Sequence, residues 1–309
     1  MKFDVLVAGE LYVDLILSGF DFWPLPGQEA FARTFRKEIG GGAAITACGL
    51  GVLGQRTGVC GAVGSDYGAW MAHRFRERGV ETDYLEVHTT EPTGLTVAIT
   101  TPHDRAFLTY SGANRGYMEQ FCDEAAAGRI ESRHVHIAAA PDWDVTSDLI
   151  DHLHASGATV SLDAGWHEPW LADPRALPTL AKTDLFLPNE TEAARMTGQY
   201  DARGILNKFA DAGLKCVALK LGGAGSALLY DGQIRFAPAP AVTPVDTTGA
   251  GDCFDAGFLN AWLNGQRPEA WLWAGNICGA LSCEAYGGLD GFPCRDRLAH
   301  EMELHSCET

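Results

Sequence analysis

Asp246-Thr-Thr-Gly-Ala-Gly-Asp252-Cys-Phe-Asp-Ala-Gly-Phe258 is the stretch on which the reading of this chain turns. Gly249, Ala250 and Gly251 stand just before an apolar helical run, and small residues there let backbone approach a ligand closely. A helix N-terminus offers unpaired N–H groups and the positive end of its dipole. That combination forms an anion hole suited to a transferring phosphoryl group. Asp252 falls in the first turn beside the hole, where a carboxylate can take the proton from an attacking alcohol. A bare Gly-Ala-Gly-Asp also reads as a glycine turn with a first-turn acid.

The surrounding sequence alternates strand-like and helix-like runs. Phe3–Gly9 is a short apolar run ending at glycine, and predicts a buried central strand. Ala43–Leu53 suits a buried helix after a glycine turn, and Tyr67–Arg78 an exposed amphipathic one. Strand-like runs follow at His134–Ala139, Thr159–Asp163, Leu185–Leu187 and Cys216–Leu221, with helix-like stretches at Thr146–Ala155, Glu190–Thr197 and Ala202–Ala212. Such alternation predicts an α/β fold with a mostly parallel sheet. Two hairpins are expected: Leu95–Thr101 with Ala106–Tyr110 across Pro102-His103-Asp104-Arg105, and Gly225–Tyr230 with Ile234–Ala237 across Asp231-Gly232. Gly249–Leu263 and Pro268–Ala285 read as two late, buried helices.

The quoted stretch resembles the C-terminal signature of the PfkB, or ribokinase-like, family of carbohydrate and nucleoside kinases. Asp246, Gly249, Ala250, Gly251, Asp252, Ala256 and Gly257 fall on its pattern without a gap. The resemblance extends over most of the chain. It implies one ribokinase-like α/β domain over 1–309, with a central, mostly parallel sheet flanked by helices and a small β lid inserted from about 15–38 and 90–112. The reaction it implies is transfer of the γ-phosphate of ATP to an alcohol. Asp252 would be the base, and the N–H groups of Gly249, Ala250 and Gly251 the anion hole.

Other segments carry the resemblance further. Gly9-Glu-Leu-Tyr-Val-Asp14 is similar to the family's first strand and sugar-binding aspartate, and a carboxylate accepts hydrogen bonds from neighbouring hydroxyls. Gly40-Gly41-Gly42-Ala43-Ala44 resembles the glycine motif where backbone meets the sugar. Where the family places an asparagine soon after, this chain has Ile45, a change expected to alter which hydroxyls are read. Asn114, at the end of Asp104–Asn114, is the remaining substrate candidate, with a turn role as the plainer reading. Arg115 beside it could favour an acidic sugar or be a surface residue.

Asn189-Glu-Thr-Glu192 places two oxygen-bearing side chains on one helical face. It is a helix-start pattern, and it also matches the family's motif for Mg²⁺ and phosphate, with hard oxygen donors acting through water. Lys220-Leu-Gly222-Gly-Ala-Gly225 is similar to the family's nucleotide-binding turn. Asn276 falls near the family's adenine position, with a buried helix asparagine as the alternative. Asp246 and Thr248 sit where some members bind a monovalent cation, which leaves K⁺ an open option. His134-Val-His136 is read as strand core, the Trp143, Trp166 and Trp170 region as packing, and Cys253 as a small buried residue.

Composition narrows the function. The chain has 309 residues, 46% hydrophobic and 20% charged, with a formal net charge of −17. An acidic surface disfavours general nucleic-acid binding. The nine scattered cysteines form no zinc or disulfide pattern, so reduced thiols and a cytoplasmic setting are expected. No signal peptide and no transmembrane run is apparent, the longest uncharged run being Ile39–Gln55. The expected partner is a small sugar, with ATP and Mg²⁺ as cofactors. A homodimer through the lid is an open option suggested by the resemblance. Two alternatives stay open: a nucleoside kinase, for which Ile45 or Phe22-Trp23 could wall a base, and a non-catalytic sugar- or nucleotide-binding regulator.

Overall fold

The computed structural model describes residues 1–23, 26–100 and 105–306. Among the described residues thirteen strands form two sheets. The large sheet holds β1 (Phe3–Gly9), β4 (Thr57–Gly64), β5 (Val80–His88), β8 (Ser132–Ala138), β9 (Thr159–Asp163), β10 (Leu185–Phe186), β11 (Cys216–Lys220), β12 (Ser226–Tyr230) and β13 (Gln233–Ala237). Their spatial order is β13-β12-β11-β10-β9-β8-β1-β4-β5. Every pairing from β5 across to β11 is parallel, and the last two strands add an antiparallel hairpin at the edge. The hairpin turn uses Asp231 at φ 52° and Gly232 at φ 69°, the left-handed pair that matches strand twist.

β1 explains why the sheet is covered on both faces. Val5 and Val7 pack into one apolar cluster, Leu6 and Ala8 into the other, because successive strand side chains point to opposite faces. The first cluster also takes the helices Gly42–Val52, Ala250–Leu263 and Pro268–Ser282. The last two are pressed close at Gly257, where a Cβ would run into the Ala274 carbonyl. Gly257 of the signature is therefore a packing residue.

The lid is a four-stranded sheet, β3-β2-β6-β7, built from β2 (Tyr12–Ser18), β3 (Thr34–Gly40), β6 (Gly94–Thr100) and β7 (Arg105–Tyr110). β6 and β7 form the expected antiparallel hairpin. Of its expected turn, Pro102-His103-Asp104-Arg105, the first three residues lie outside the described ones, as does Thr101, and Arg105 opens β7. β6 reaches the rest of the lid by a parallel pairing with β2. Among the described residues, β4, β5, the helix Tyr117–Ala126, the short helices Glu168–Leu171 and Ala176–Leu180, and the C-terminal helix Arg295–Ser306 escape the sequence reading. Among the described residues no helix is long and apolar enough to cross a membrane.

Candidate active site

Two helix N-termini converge at Asp252. The helix Ala250–Leu263 starts from Gly249 at φ 74°, a left-handed conformation suited to glycine, with no side-chain cap on its first turn. Ala250 N–H makes one long bond of 3.3 Å to the Thr247 carbonyl. The helix Gly42–Val52 likewise begins without a side-chain cap. The Thr46 hydroxyl donates to the Asp252 carbonyl at 3.2 Å and ties the two starts together. Burial pushes the Asp252 carboxyl up to about 7; the Asp163 charge adds to this and the Lys220 ammonium opposes it. A carboxyl with that balance is suited to accepting a proton near neutral pH.

Asp252 lines two cavities. The first, about 700 Å³, is bounded by Gly42, Asn114, Arg115, the Ala138–Pro141 turn after β8, and aromatic groups of Tyr12, Tyr117, Trp166 and His167. Asn114 is buried, and its amide clamps the Leu11 backbone: Leu11 N–H donates to Oδ1 at 2.9 Å and Nδ2 donates to the Leu11 carbonyl at 2.8 Å. Arg115 stacks its guanidinium over Tyr110. Asp14 and Gly41 are not among the residues bounding this cavity. The Asp14 carboxylate occupies the space a Cβ on Gly40 would need, and Gly41, at φ 91°, lies against the Glu10 carbonyl. Burial, with the nearby charges of Asp246 and Glu38, raises the Asp14 carboxyl to about 7.

The second cavity, about 800 Å³, brings together Asn189, Glu192, Lys220, Gly222, Gly225, Ala250, Gly251 and Asn276. Its wall includes apolar groups of Pro240, Val242 and Phe254. Asn189 caps the helix Glu190–Thr197 in a full capping box: its Oδ1 accepts from Glu192 N–H at 2.9 Å, and Glu192 Oε2 accepts from Asn189 N–H at 2.9 Å. Burial raises the Glu192 carboxyl to about 7, with Asp163 adding and Lys220 opposing. Both side chains carry hard oxygen atoms at the cavity wall, the donor type that Mg²⁺ takes through its waters. Gly225, at φ 101°, leaves no room for a Cβ against the Ala237 carbonyl, whereas Gly222 faces open space. Asn276 donates to the Ala237 and Pro238 carbonyls, both at 3.1 Å, as a buried helix asparagine would.

The Asp246 carboxylate accepts from Thr248 N–H at 2.8 Å and from Gly287 N–H at 3.0 Å, and so fixes the loop leading into the signature. His134 and His136 are wholly buried and bonded to Thr159 and Ser161, as strand core. Trp143 and Trp170 stack on each other, while Trp166 is exposed on the first cavity's wall. Cys253 is buried, its thiol donating to the Gly288 carbonyl.

Sequence reasoning missed Asp163 and Asp255. Lys220 Nζ lies 2.7 Å from Asp163 Oδ2 and 3.1 and 3.2 Å from the two Asp255 oxygens. One signal was available: Asp255 is an acid inside the apolar run Cys253–Phe258, and unpaired acids are almost never fully buried. The Ile45 side chain is buried and packs against Gly249 and Gly288, beside the anion hole.

Comparison with known proteins follows the same lines. A model of the pfkB family of carbohydrate kinases matches residues 2–294. The chain is 28% identical to a 2-dehydro-3-deoxygluconokinase of Bacillus subtilis, covering 97% of this chain and 95% of the relative. It is 30% identical to an ATP-dependent ribose-1-phosphate kinase of Halopiger xanaduensis, with 96% of each covered. Among solved structures, Arabidopsis thaliana ribokinase complexed with ribose and ATP superimposes with a TM-score of 0.85 at 26% identity, covering 98% of this chain and 99% of the other.

Proposed function

The chain belongs to the pfkB family of carbohydrate kinases, and from that premise we propose that it moves the γ-phosphoryl group of ATP to a hydroxyl of a small sugar at Asp252. The observation that carries this reading is that Asp252 bounds both cavities. A base at such a partition reaches an alcohol on one side while the helix N-terminus beside it faces a phosphate on the other.

In this reading the acceptor sits in the first cavity, with Gly42 backbone against it. Asn114 keeps the Leu11 turn in place, and Asp14 contributes from beneath Gly40 when the lid closes. The Asp252 carboxylate accepts the hydroxyl proton as the oxygen attacks phosphorus. The N–H groups of Gly249, Ala250 and Gly251 hold the charge on the transferring group. ATP lies along Gly222 and Gly225, with its base against the apolar wall near Asn276. Mg²⁺, held through water by Asn189 and Glu192, would offset phosphate charge. Asp246 and Thr248 are the place for K⁺; equal rates in K⁺ and tetraalkylammonium buffers would remove that role.

A nucleoside acceptor is the second reading. Trp166, exposed on the first cavity's wall, favours it, since an indole can stack on a base. ADP release from Mg-ATP across neutral sugars, sugar acids, sugar phosphates and nucleosides separates the two, with Asp252→Asn as the blank. A strong hit among sugars upholds the first reading, and hits confined to nucleosides replace it. Turnover by Asp252→Asn close to that of the wild type overturns the assigned base.

A further inference from the structure

Between the two cavities lies a buried ionic cluster that no part of the proposed reaction explains. Lys220 ends β11, Asp163 ends β9, and Asp255 lies one helical turn beyond Asp252. All three side chains are nearly or wholly shielded from solvent. The ammonium stands between the two carboxylates at the distances given above. Asp163 and Lys220 both face the second cavity, and Asp163 also faces the first. Beside Gly251, Lys220 Nζ lies 3.6 Å from where a Cβ on that residue would stand. The cation therefore stands beside Gly251 of the anion hole, on the wall of the same cavity.

Three carboxylates, Asp163, Asp252 and Asp255, have oxygens within 4.8 Å of one another. A divalent ion there would have to displace an ammonium already bonded to two of them, so Lys220 itself fills the role of the local cation. A buried lysine with one partner would keep several rotamers. Two carboxylates from different elements fix the position of its head group, and the desolvation cost of the charge demands such partners.

We propose that Asp255, together with Asp163, holds the Lys220 ammonium beside Gly251 of the Gly249–Gly251 anion hole, so that Lys220 is the chain's own counter-charge for the transferring phosphoryl group and Asp255 a positioning residue for the reaction. This rests on the reading of Asp252 and the anion hole as the chemical centre. Within it, Asp255 touches neither acceptor nor nucleotide. It acts by fixing where a charge stands when negative charge builds on phosphorus. Placement of that kind changes turnover more than ground-state binding.

A double-mutant cycle on the full-length protein tests this. ADP release, to the best acceptor of the panel or to water, is measured for wild type, Asp255→Ala, Asp255→Asn, Lys220→Met and the Asp255→Ala/Lys220→Met double variant. Melting curves confirm that each is folded. We expect Asp255→Ala to lower kcat roughly 10- to 100-fold, with KM values for ATP and acceptor within about threefold. Asp255→Asn, which keeps an oxygen for the ammonium, recovers most of that loss. Lys220→Met loses at least as much as Asp255→Ala, and the double variant is no worse than Lys220→Met alone, because both act through one group.

Wild-type kcat in Asp255→Ala overturns the proposal, as do losses that multiply in the double variant. If Asp255→Ala does not fold, Asp255→Ser completes the same cycle. Asp252→Asn separates the two levels. If it is inactive while Asp255→Ala is fully active, only the positioning role falls; if it turns over normally, the underlying reading falls too.

Discussion

Asp252 Oδ1 lies 2.8 Å from the point where a Cβ on Gly42 would stand. Gly42 opens the helix Gly42–Val52 and makes no side-chain contact of its own, so its lack of a side chain leaves room for the Asp252 carboxylate. Alanine is otherwise the better helix former. Gly42→Ala should therefore leave the melting temperature close to wild type while displacing the carboxylate. A shift of about 1 Å at a reacting group costs on the order of 100-fold in turnover. Steady-state rates beside a melting curve check this; full activity would show that the carboxylate has slack the geometry does not suggest.

The raised Asp252 carboxyl gives two linked pH effects. As the general base it must be ionised, so kcat/KM should fall about tenfold per unit as pH drops below about 7 in the free enzyme. For stability the sign is opposite to that of a salt-bridged acid. Between the ordinary value of 3.8 and about 7 the folded state holds more protons than the unfolded one, so stability declines as pH rises through that window. Asp252→Asn removes this loss. It should melt above wild type at pH 8, with the gap closing towards pH 4, in melts without ligand. A gap independent of pH would show that Asp252 does not titrate where its burial places it.

Ile45 gives a stability prediction with a functional side. It is 4% exposed and packs under Gly249 and Gly288. Ile45→Ala should lose about 2–5 kcal/mol in denaturant unfolding, the range for a buried aliphatic truncation. It should also slow turnover, because the left-handed Gly249 turn loses its support. A loss of turnover at unchanged stability would mean that Ile45 acts on the acceptor after all.

Much of this site was legible before the structure, and the gaps have physical causes. Gly249 to Asp252, Asn189 with Glu192, and Lys220 with Gly222 and Gly225 are contiguous motifs, and each lies at the helix start or strand end that its local pattern predicts. What could not be read locally depends on long-range packing. Asp163 and Asp255 meet Lys220 across separations of 57 and 35 residues, and a single acid in a strand end or helix gives little sign of its partner. The clamp of the Asn114 amide on Leu11, 103 residues away, is equally invisible in the local pattern. β5 was missed because its burial alternates irregularly and its polar residues hide the strand period.

The lid carries the last prediction. Strand alternation puts Asp14, Ile16 and Ala98 on one face, whereas Leu15, Leu17, Phe35, Val97, Ile99, Leu108 and Tyr110 share the other. On that second face Phe35 and Leu108 are 61% and 63% exposed, and Tyr110 44%. Both edge strands, β3 and β7, contribute to the patch, so a second copy could cover it along the whole width of the sheet. Exposed apolar patches of this kind mark association surfaces. We expect a dimer in sedimentation equilibrium, shifted to monomer by Leu108→Glu, with acceptor KM raised because the lid loses its support. A wild-type monomer across the micromolar range would leave the patch without this partner, and a Leu108→Glu dimer would place the contact elsewhere on the chain.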